Sequence, residues 1–377
     1  MHTHPAASLL QRLVAIPSIN PREADTPAEA AMAEAVAAWL REAGVEVELQ
    51  TVLPGRPNVL GRVQGRDRSR IFLFESHLDT VEIDGMTAPP FGADIREGRL
   101  YGRGACDAKG PLAAMMLAVA DLAREAPPPM DVVLAAVMDE EHRYRGVTAL
   151  LERGEPFAAA IVGEPTELDL VVAHKGCVRF SVTTHGRACH SSNPWEGENA
   201  IMGRADLLDF IRHEIEPEAL AQSHPRVGPA TACVSLINGG SAINAVPAAC
   251  TVHLDRRTLP GEEPLAVWAD YRDRLQAFAP GKITVHEPYV VDYAMDTDSA
   301  APVVRALENA VRDTGRPAAV RGVSYGTDAS KLARAGIPSV VFGPGSIQQA
   351  HSAEEWIELH QVEAAAAILA RAIRAFA

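Results

Sequence analysis

Short runs of consecutive apolar residues recur along the chain, and each run ends in polar or glycine-rich sequence. Four such runs cover 71–74, 132–137, 158–162 and 339–342. A run that is apolar at consecutive positions is typical of a strand buried on both faces of a helix-covered sheet. Helical patterns lie between these runs, at 111–126, 146–153, 301–313 and 329–335. The alternation predicts a doubly wound, mostly parallel α/β sheet, whose ligands bind beyond the carboxyl ends of the strands.

Amphipathic patterns predict further helices near both ends of the chain. The helix near the start covers 27–43, where Thr26 can cap it, Pro27 suits its first turn and Gly44 ends it. A closing helix is predicted at 361–377, because apolar residues recur there at helical spacing. Helices therefore open and close the predicted fold.

The pattern changes at Cys177, after which apolar residues alternate with polar ones. The segments 178–182 and 250–254 show this alternation, which is typical of strands with one wet face. Two helical runs and a last strand are predicted at 199–214, 264–278 and 282–291. We therefore predict a small α+β domain at 176–292, inserted between the two parts of a larger domain, at 1–175 and 293–377.

The composition indicates a globular protein and argues against some classes of binding partner. Among 377 residues, 35 Lys and Arg stand against 49 Asp and Glu, and the net charge is -14. This balance argues against nucleic acid or an anionic membrane surface as the main partner. No apolar run approaches the roughly 20 residues that cross a bilayer, and no signal sequence is recognisable, so we expect a cytoplasmic protein. The five cysteines fit neither a disulfide framework nor a zinc motif, and we expect reduced thiols.

Acidic residues and histidines follow the predicted strands and form the candidate site. Asp107 lies in the glycine-rich stretch 101–110, just before a helical run. If Asp107, Glu141 and Glu164 converge, their three negative charges destabilise the fold unless cations lie between them. Two divalent ions supply +4 against -3, so a two-metal site is the economical explanation. The candidates are His77, Asp79, Asp107, Glu140, Glu141, Glu164 and His351.

Five motifs together resemble the two-metal amidohydrolase family that includes acetylornithine deacetylase, succinyl-diaminopimelate desuccinylase, aminoacylase and glutamate carboxypeptidase. They occur in that family's order and cover nearly the whole chain, at 76–81, 101–110, 139–141, 163–166 and 343–351. The resemblance implies a catalytic α/β domain, an inserted lid or dimerisation domain of ferredoxin-like α+β fold, and hydrolysis of a linear amide. The C-terminal motif is most similar to the acetylornithine deacetylase branch.

The resemblance also implies a ligand set. His77 and Glu164 would hold one metal ion, Glu141 and His351 would hold the other, and Asp107 would bridge the two ions. Members of the family usually contain zinc, and oxygen-rich ligation also admits cobalt or manganese. Two divalent metal ions are therefore the expected cofactors.

The catalytic roles follow from the same resemblance. Asp79 would bond the ring of His77 and fix its tautomer, and Glu140 would be the general base. A metal-bridged water, whose pKa the ions lower to about 7, would lose its proton to Glu140 and attack the amide carbonyl. His190 would stabilise the oxyanion. In similar enzymes this histidine comes from the neighbouring subunit, so the resemblance implies a homodimer through the inserted domain.

Three more residues bear on the substrate. Arg257 and Asn244 match family residues that grip a substrate carboxylate, although an ion pair with Asp255 or Glu262 is an alternative for Arg257. Asp328 could receive a side-chain ammonium group. We therefore expect an N-acyl amino acid with a basic side chain, with N-acetylornithine first.

Other functions stay open from the sequence alone. A succinyl-diaminopimelate desuccinylase, a dipeptidase or a carboxypeptidase would use the same metal chemistry on a different amide. A relative that binds a small molecule without hydrolysing it is a further alternative. Residues 142–145 are bulky and basic where relatives often carry small residues, so the wall of the site departs from the family pattern. The complete ligand set together with Glu140 favours an active enzyme.

Overall fold

The chain forms two compact units. The computed structural model describes residues 5–22, 26 and 28–376. The larger unit comprises Met1–Val172, Thr297–Arg321 and Thr327–Ala377, and the smaller comprises Ala173–Asp296 and Gly322–Gly326. The inserted domain predicted at 176–292 lies within the smaller unit, and its role as a lid stays a prediction.

A central sheet organises the larger unit. Its strands, in spatial order, are Glu46–Leu53, Arg56–Val63, Met130–Val137, Asp67–His77, Phe157–Val162, Ser339–Val341 and Leu170–His174. The inner four of these run parallel, whereas the hairpin at the Glu46–Leu53 edge is antiparallel. All residues of Met130–Val137 are buried, as its unbroken apolar run predicts. The predicted α/β class with a mostly parallel central sheet is confirmed.

Helices complete the core of the larger unit. They span Pro5–Val14, Ala30–Glu42, Lys109–Arg124, Arg145–Glu152, Pro302–Arg312, Ala329–Arg334 and Leu359–Ala375. Lys109–Arg124 packs against Leu359–Ala375. At the end of the closing helix, Phe376 meets the edge of Phe72 on the sheet, with ring centroids 4.9 Å apart. None of the helices in the described part of the chain is long and apolar enough to span a membrane.

A small three-stranded sheet in the larger unit consists of Asp94–Arg96, Arg99–Tyr101 and Trp356–Glu358. Tyr101 pairs with Trp356 in its antiparallel register. The glycine-rich loop that follows Tyr101 therefore lies beside the residues that precede Trp356. This adjacency brings two distant motifs of the sequence together.

The smaller unit contains an antiparallel sheet with helices. The sheet strands are Thr231–Gly239, Ala249–Thr258, Gly176–His185, Ile283–Val285 and Val290–Asp292. The helices span Met202–Phe210, Glu216–Ala221 and Pro264–Phe278, with a single 3-10 turn at Pro194–Glu196. Short strands also occur at Cys189–His190, Ala245–Val246, Ser223–His224 and Gly228–Pro229, whereas Met295–Asp296 and Val320–Val323 pair with Leu170–His174. Alternate residues of Gly176–His185 are buried in the core, as the alternating pattern predicts.

Several predicted element boundaries are wrong. The helix expected at 27–43 begins at Ala30, and Glu29, not Thr26, precedes its first turn; Pro27 lies outside the described residues. The strand expected at 282–291 is interrupted and forms two short strands, which pair with the same neighbour.

Two further differences lie in the smaller unit. The helix expected at 199–214 starts at Met202 and continues through a π-helical turn at Ile211–Ile215 into Glu216–Ala221. The strand Thr231–Gly239 was not predicted at all, because its exposed apolar residues do not follow a clean alternation.

Candidate metal centre

The carboxyl ends of neighbouring parallel strands supply three of the predicted ligands. His77 is the last residue of its strand, Glu141 follows one parallel neighbour by a short turn, and Glu164 follows the other neighbour. Because the carboxyl ends of parallel strands lie at one edge of the sheet, these side chains converge. Two loops add Asp107, just before the helix Lys109–Arg124, and His351.

The structure brings all five predicted ligands together in two groups that share Asp107. Asp107 Oδ1 lies 3.0 Å from His77 Nε2, which is 3.9 Å from Glu164 Oε1. Asp107 Oδ2 lies 3.3 Å from His351 Nε2, which is also 3.3 Å from Glu141 Oε1. Each oxygen of Asp107 thus faces a different histidine and carboxylate pair. This is the grouping that the two-ion ligand set predicts.

The electrostatics of the cluster favour bound cations. Burial and the negative charge of Asp107 raise the pKa of Glu164 well above its usual value. Hydrogen bonds to Asp107 and Glu141 raise the pKa of His351 to about 10. The cluster therefore attracts positive charge. Imidazole nitrogens and carboxylate oxygens are the donors that zinc, cobalt and manganese accept, so these residues fit a pair of divalent ions.

Asp79 supports the site with both its main chain and its carboxylate. The ring of His77 donates from Nδ1 to the main-chain oxygen of Asp79 at 2.9 Å, whereas the nearer carboxylate oxygen is 3.6 Å away. The carboxylate accepts the main-chain N–H groups of Glu140 and Glu141, at 3.2 and 3.1 Å, and the side-chain amide of Asn20 at 2.7 Å. Asp79 therefore fixes the acidic turn as well as the histidine ring.

A buried network extends from this turn, and sequence analysis did not find it. Asn20 also donates to Asp139 Oδ1 at 3.0 Å, and Arg145 Nε donates to Asp139 Oδ2 at 2.5 Å. Arg56 lies 3.4 Å from Asp139 and forms a buried ion pair with Glu29. The turn that carries Glu140 and Glu141 is thus tied to the rest of the unit by buried polar contacts.

Glu140 is half-buried beside the cluster. Burial raises its pKa well above the usual value; His77 opposes this rise, and the negative charges of Asp328 and Glu141 add to it. A raised pKa suits a group that accepts and later returns a proton near neutral pH. The proposed base role of Glu140 is therefore compatible with its surroundings.

Asp328 is more deeply buried than its predicted contact with a substrate ammonium group would require. It and Glu75 are each only 1% exposed, and neither carboxyl group has a hydrogen-bond partner among the described residues. Burial raises the pKa of Asp328 to about 6. A carboxyl group enclosed in this way does not favour the predicted contact with a substrate ammonium group.

The other predicted site residues lie in the smaller unit. His190 is on a short two-stranded ribbon, Asn244 lies in the turn just before its second strand, and both residues are exposed. His190 Nδ1 accepts the main-chain N–H of Ser192 at 3.2 Å, which leaves the ring proton on Nε2. Arg257 forms an ion pair with Asp255, with 2.9 Å between Nε and Oδ1. This contact is the alternative that the sequence left open for Arg257.

A parallel sheet whose strand ends and adjacent loops gather two histidines and three carboxylates is the arrangement of a metal-dependent hydrolase. The chain belongs to Peptidase family M20/M25/M40, whose sequence profile matches residues 73–375. It is accordingly a metal-dependent enzyme that hydrolyses amide bonds, and the resemblance to two-metal amidohydrolases is confirmed.

Individual relatives agree with this assignment. The chain is 33% identical to an acetylornithine deacetylase of Myxococcus xanthus, over 90% of this chain and 86% of the relative. Its fold is similar to that of a family M20 metallo-carboxypeptidase from Sulfolobus solfataricus, with a TM-score of 0.82, 19% identity and 99% of each chain covered. It is also similar to a dinuclear metal-binding M20 peptidase from Bacillus subtilis, with a TM-score of 0.74, 16% identity and coverage of 98% and 96%.

Proposed function

We propose that this protein deacylates an N-acyl amino acid, with N-acetylornithine as the first candidate. The observation that carries the proposal is the pair of groups that share Asp107, with the half-buried Glu140 beside them. The choice of N-acetylornithine is supported by the relative of 33% identity that bears the name acetylornithine deacetylase. It draws no support from Asp328, which is buried.

The proposed cofactors are two divalent ions, zinc first, with cobalt or manganese as substitutes. His77 and Glu164 would hold one ion, Glu141 and His351 the other, and Asp107 would hold both. When bound, such ions polarise a carbonyl group and make water more acidic. Glu140 takes the proton of the attacking water and gives it to the leaving nitrogen, because its raised pKa suits both directions of transfer.

His190 is the proposed donor to the carbonyl oxygen of the substrate. Since Nδ1 accepts the N–H of Ser192, Nε2 carries a proton that it can donate. We propose that Asn244 and Arg257 recognise the substrate carboxylate. Arg257 keeps part of its surface exposed while paired with Asp255, and its planar guanidinium can serve both carboxylates.

A second copy of this chain is the proposed partner of the smaller unit. The strand Thr231–Gly239 is an edge of its sheet and exposes Leu236 and Ile237, at 59% and 54%. An exposed apolar edge strand is suited to pairing with an identical strand across a two-fold axis. Dimerisation would let His190 act in the neighbouring copy.

The decisive test is a substrate panel read against metal content. Protein stripped of metal and reloaded with zinc, cobalt or manganese is assayed on N-acetylornithine, N-succinyl-diaminopimelate, N-acetylmethionine and dipeptides. We expect N-acetylornithine to be cleaved fastest. Faster cleavage of the succinyl substrate or of a dipeptide would replace the proposal by the desuccinylase or peptidase alternative.

The variant Glu140→Gln tests the base. Its side chain has almost the same size but cannot take a proton, so kcat should fall by about 10²–10⁴-fold while two ions remain bound. Glu354→Gln, in the loop after His351, is a control for the loss of one acidic charge. Wild-type kcat in Glu140→Gln would show that another group accepts the proton, and no hydrolysis by the wild-type protein would favour a binding protein.

A further inference from the structure

A second buried carboxylate, Glu355, grips the loop that carries Asp107. Glu355 is 1% exposed. Its Oε1 accepts the main-chain N–H groups of Cys106 and Asp107, at 2.9 and 3.0 Å. Its Oε2 accepts the N–H of Gly104 at 3.0 Å and Nη1 of Arg103 at 2.8 Å. Both oxygens of this carboxylate are thus occupied by donors from one short segment.

This arrangement differs from an ordinary ion pair. Three main-chain N–H groups that point at one anion form a concave binding site, and hydrogen bonds to an ionised acceptor are stronger than neutral ones. Arg103 is itself 3% exposed and is anchored by a second bond, from Nε to the main-chain oxygen of Glu82 at 3.0 Å. The loop conformation around Asp107 therefore depends on one side chain that is distant in sequence.

The two segments that this contact joins each carry a proposed metal ligand. Asp107 presents one oxygen to His77 and the other to His351, so a small rotation of its main chain would disturb both groups. Glu355 follows His351 by four residues on the same segment. One loop therefore supplies a proposed ligand directly and fixes the proposed bridging ligand through Glu355.

We propose that Glu355 is a positioning residue that holds Asp107 in the orientation needed to bridge two metal ions. Glu355 is not itself a ligand, because its oxygens already accept the four hydrogen bonds described above. The inference rests on the proposed ligand set. Asp107 can still give one oxygen to a single ion when the clamp is lost, but it can no longer serve both ions at once. Binding of the second ion should therefore suffer most.

The test compares Glu355→Gln with Glu358→Gln. The variant Glu355→Gln keeps one acceptor oxygen and replaces the other oxygen with an NH2 group. This group cannot accept hydrogen bonds from the N–H donors that it then faces. The control removes the same charge three residues later, where Glu358 pairs with Arg99 at 2.7 Å and does not bond the Asp107 loop. Zinc binding to metal-free protein is measured by calorimetry with a competing chelator, which gives a dissociation constant for each ion.

The expected result is selective. In Glu355→Gln the second ion should bind about 10–100-fold more weakly, the range typical for loss of a residue that orients a metal ligand. In Glu358→Gln both constants should stay within about threefold of wild type, since partly exposed ion pairs contribute little. In the cobalt-loaded protein, the magnetic coupling between the two ions should also be lost in Glu355→Gln only. A purely structural role would lower the melting temperature without this selectivity.

Wild-type constants for both ions in Glu355→Gln would overturn the inference, and so would equal weakening of both steps. If that variant does not fold, Glu355→Asp keeps the charge but is one methylene too short to reach both pairs of donors, and the same selective loss is expected. A wild-type protein that binds two ions but cleaves no N-acyl amino acid would refute the proposed substrate and leave the role of Glu355 standing if the selective loss is seen.

Discussion

Asn20 offers the sharpest test of how the catalytic turn is held. Its amide donates to Asp79 Oδ2 at 2.7 Å and to Asp139 Oδ1 at 3.0 Å, and it is 6% exposed. The change Asn20→Leu keeps the approximate size of the side chain and removes both hydrogen bonds, together with the one that Asn20 Oδ1 accepts from the main-chain N–H of Arg22 at 2.8 Å. Two buried carboxylates then lose a shared donor, and one of them, Asp79, accepts the main-chain N–H groups of Glu140 and Glu141.

The magnitude follows from the two contacts. A hydrogen bond to a charged group contributes about 1.5–3 kcal/mol, so the variant should lose about 3–6 kcal/mol of stability. The turn that carries Glu140 should also become less well placed, and a misplacement of about 1 Å can cost about 10²-fold in rate. Because Asn20 does not belong to the proposed substrate site, kcat should fall by about 10–100-fold while KM changes little.

The assay pairs steady-state kinetics on the best N-acyl substrate with thermal unfolding of the metal-loaded protein. The control is Thr297→Val, which removes a buried hydrogen bond of 2.7 Å from Thr297 Oγ1 to the main-chain oxygen of Ser339. It should lower stability and leave kcat unchanged. The reasoning is refuted if Asn20→Leu retains wild-type kcat, or if its loss of kcat is matched by Thr297→Val.

Three further predictions concern charge and assembly. Asp328→Asn should lower kcat/KM for N-acetylornithine and N-acetylmethionine by the same factor, since Asp328 is buried. A loss confined to N-acetylornithine would support the predicted contact between Asp328 and the substrate ammonium group. In metal-free protein the pKa of His351 is raised to about 10, so its contribution to stability is complete below the ordinary value near 6.5 and is lost as pH rises towards 10. The melting temperature of metal-free His351→Gln should therefore fall less steeply with rising pH than that of the metal-free wild type. An equal slope would show that other groups cause the fall. Leu236→Lys should yield monomers by light scattering with a reduced kcat, whereas Leu265→Lys, at a helical position that is 49% exposed, should have neither effect. Fully active monomers would exclude His190 acting between copies.

The apolar runs that end in polar residues predict much of the candidate site. His77 and Glu164 come within three residues of the ends of the apolar runs 71–74 and 158–162, and a parallel sheet brings such positions to one edge, so local pattern and topology suffice. The family motifs add Asp107, Glu141 and His351, which lie in loops without a periodic pattern. The geometry then groups all five residues as the motifs imply.

The supporting residues could not be predicted in this way. Asn20 and Glu355 reach their partners across 59 and 248 residues of sequence, and neither position carries a local signal that sets it apart from a solvated polar residue. The misplaced helix start has a similar cause. Thr26 matches a local capping pattern, but the helix begins after Glu29, whose carboxylate is held by Arg56 from the neighbouring hairpin. Tertiary contacts decide both cases.

Five acidic residues around the centre divide into two kinds by the groups that balance their negative charge. Asp79 and Glu355 accept main-chain N–H groups, and Asp139 accepts from Arg145, so protein donors already stabilise these carboxylates. Asp107 and Glu141 meet His351 instead, at distances that leave room for an ion to join them. A carboxylate satisfied by the protein gains little from a cation, whereas one that faces other acidic groups requires it. Asp79, Asp139 and Glu355 therefore position the site, whereas Asp107 and Glu141 are expected to bind metal.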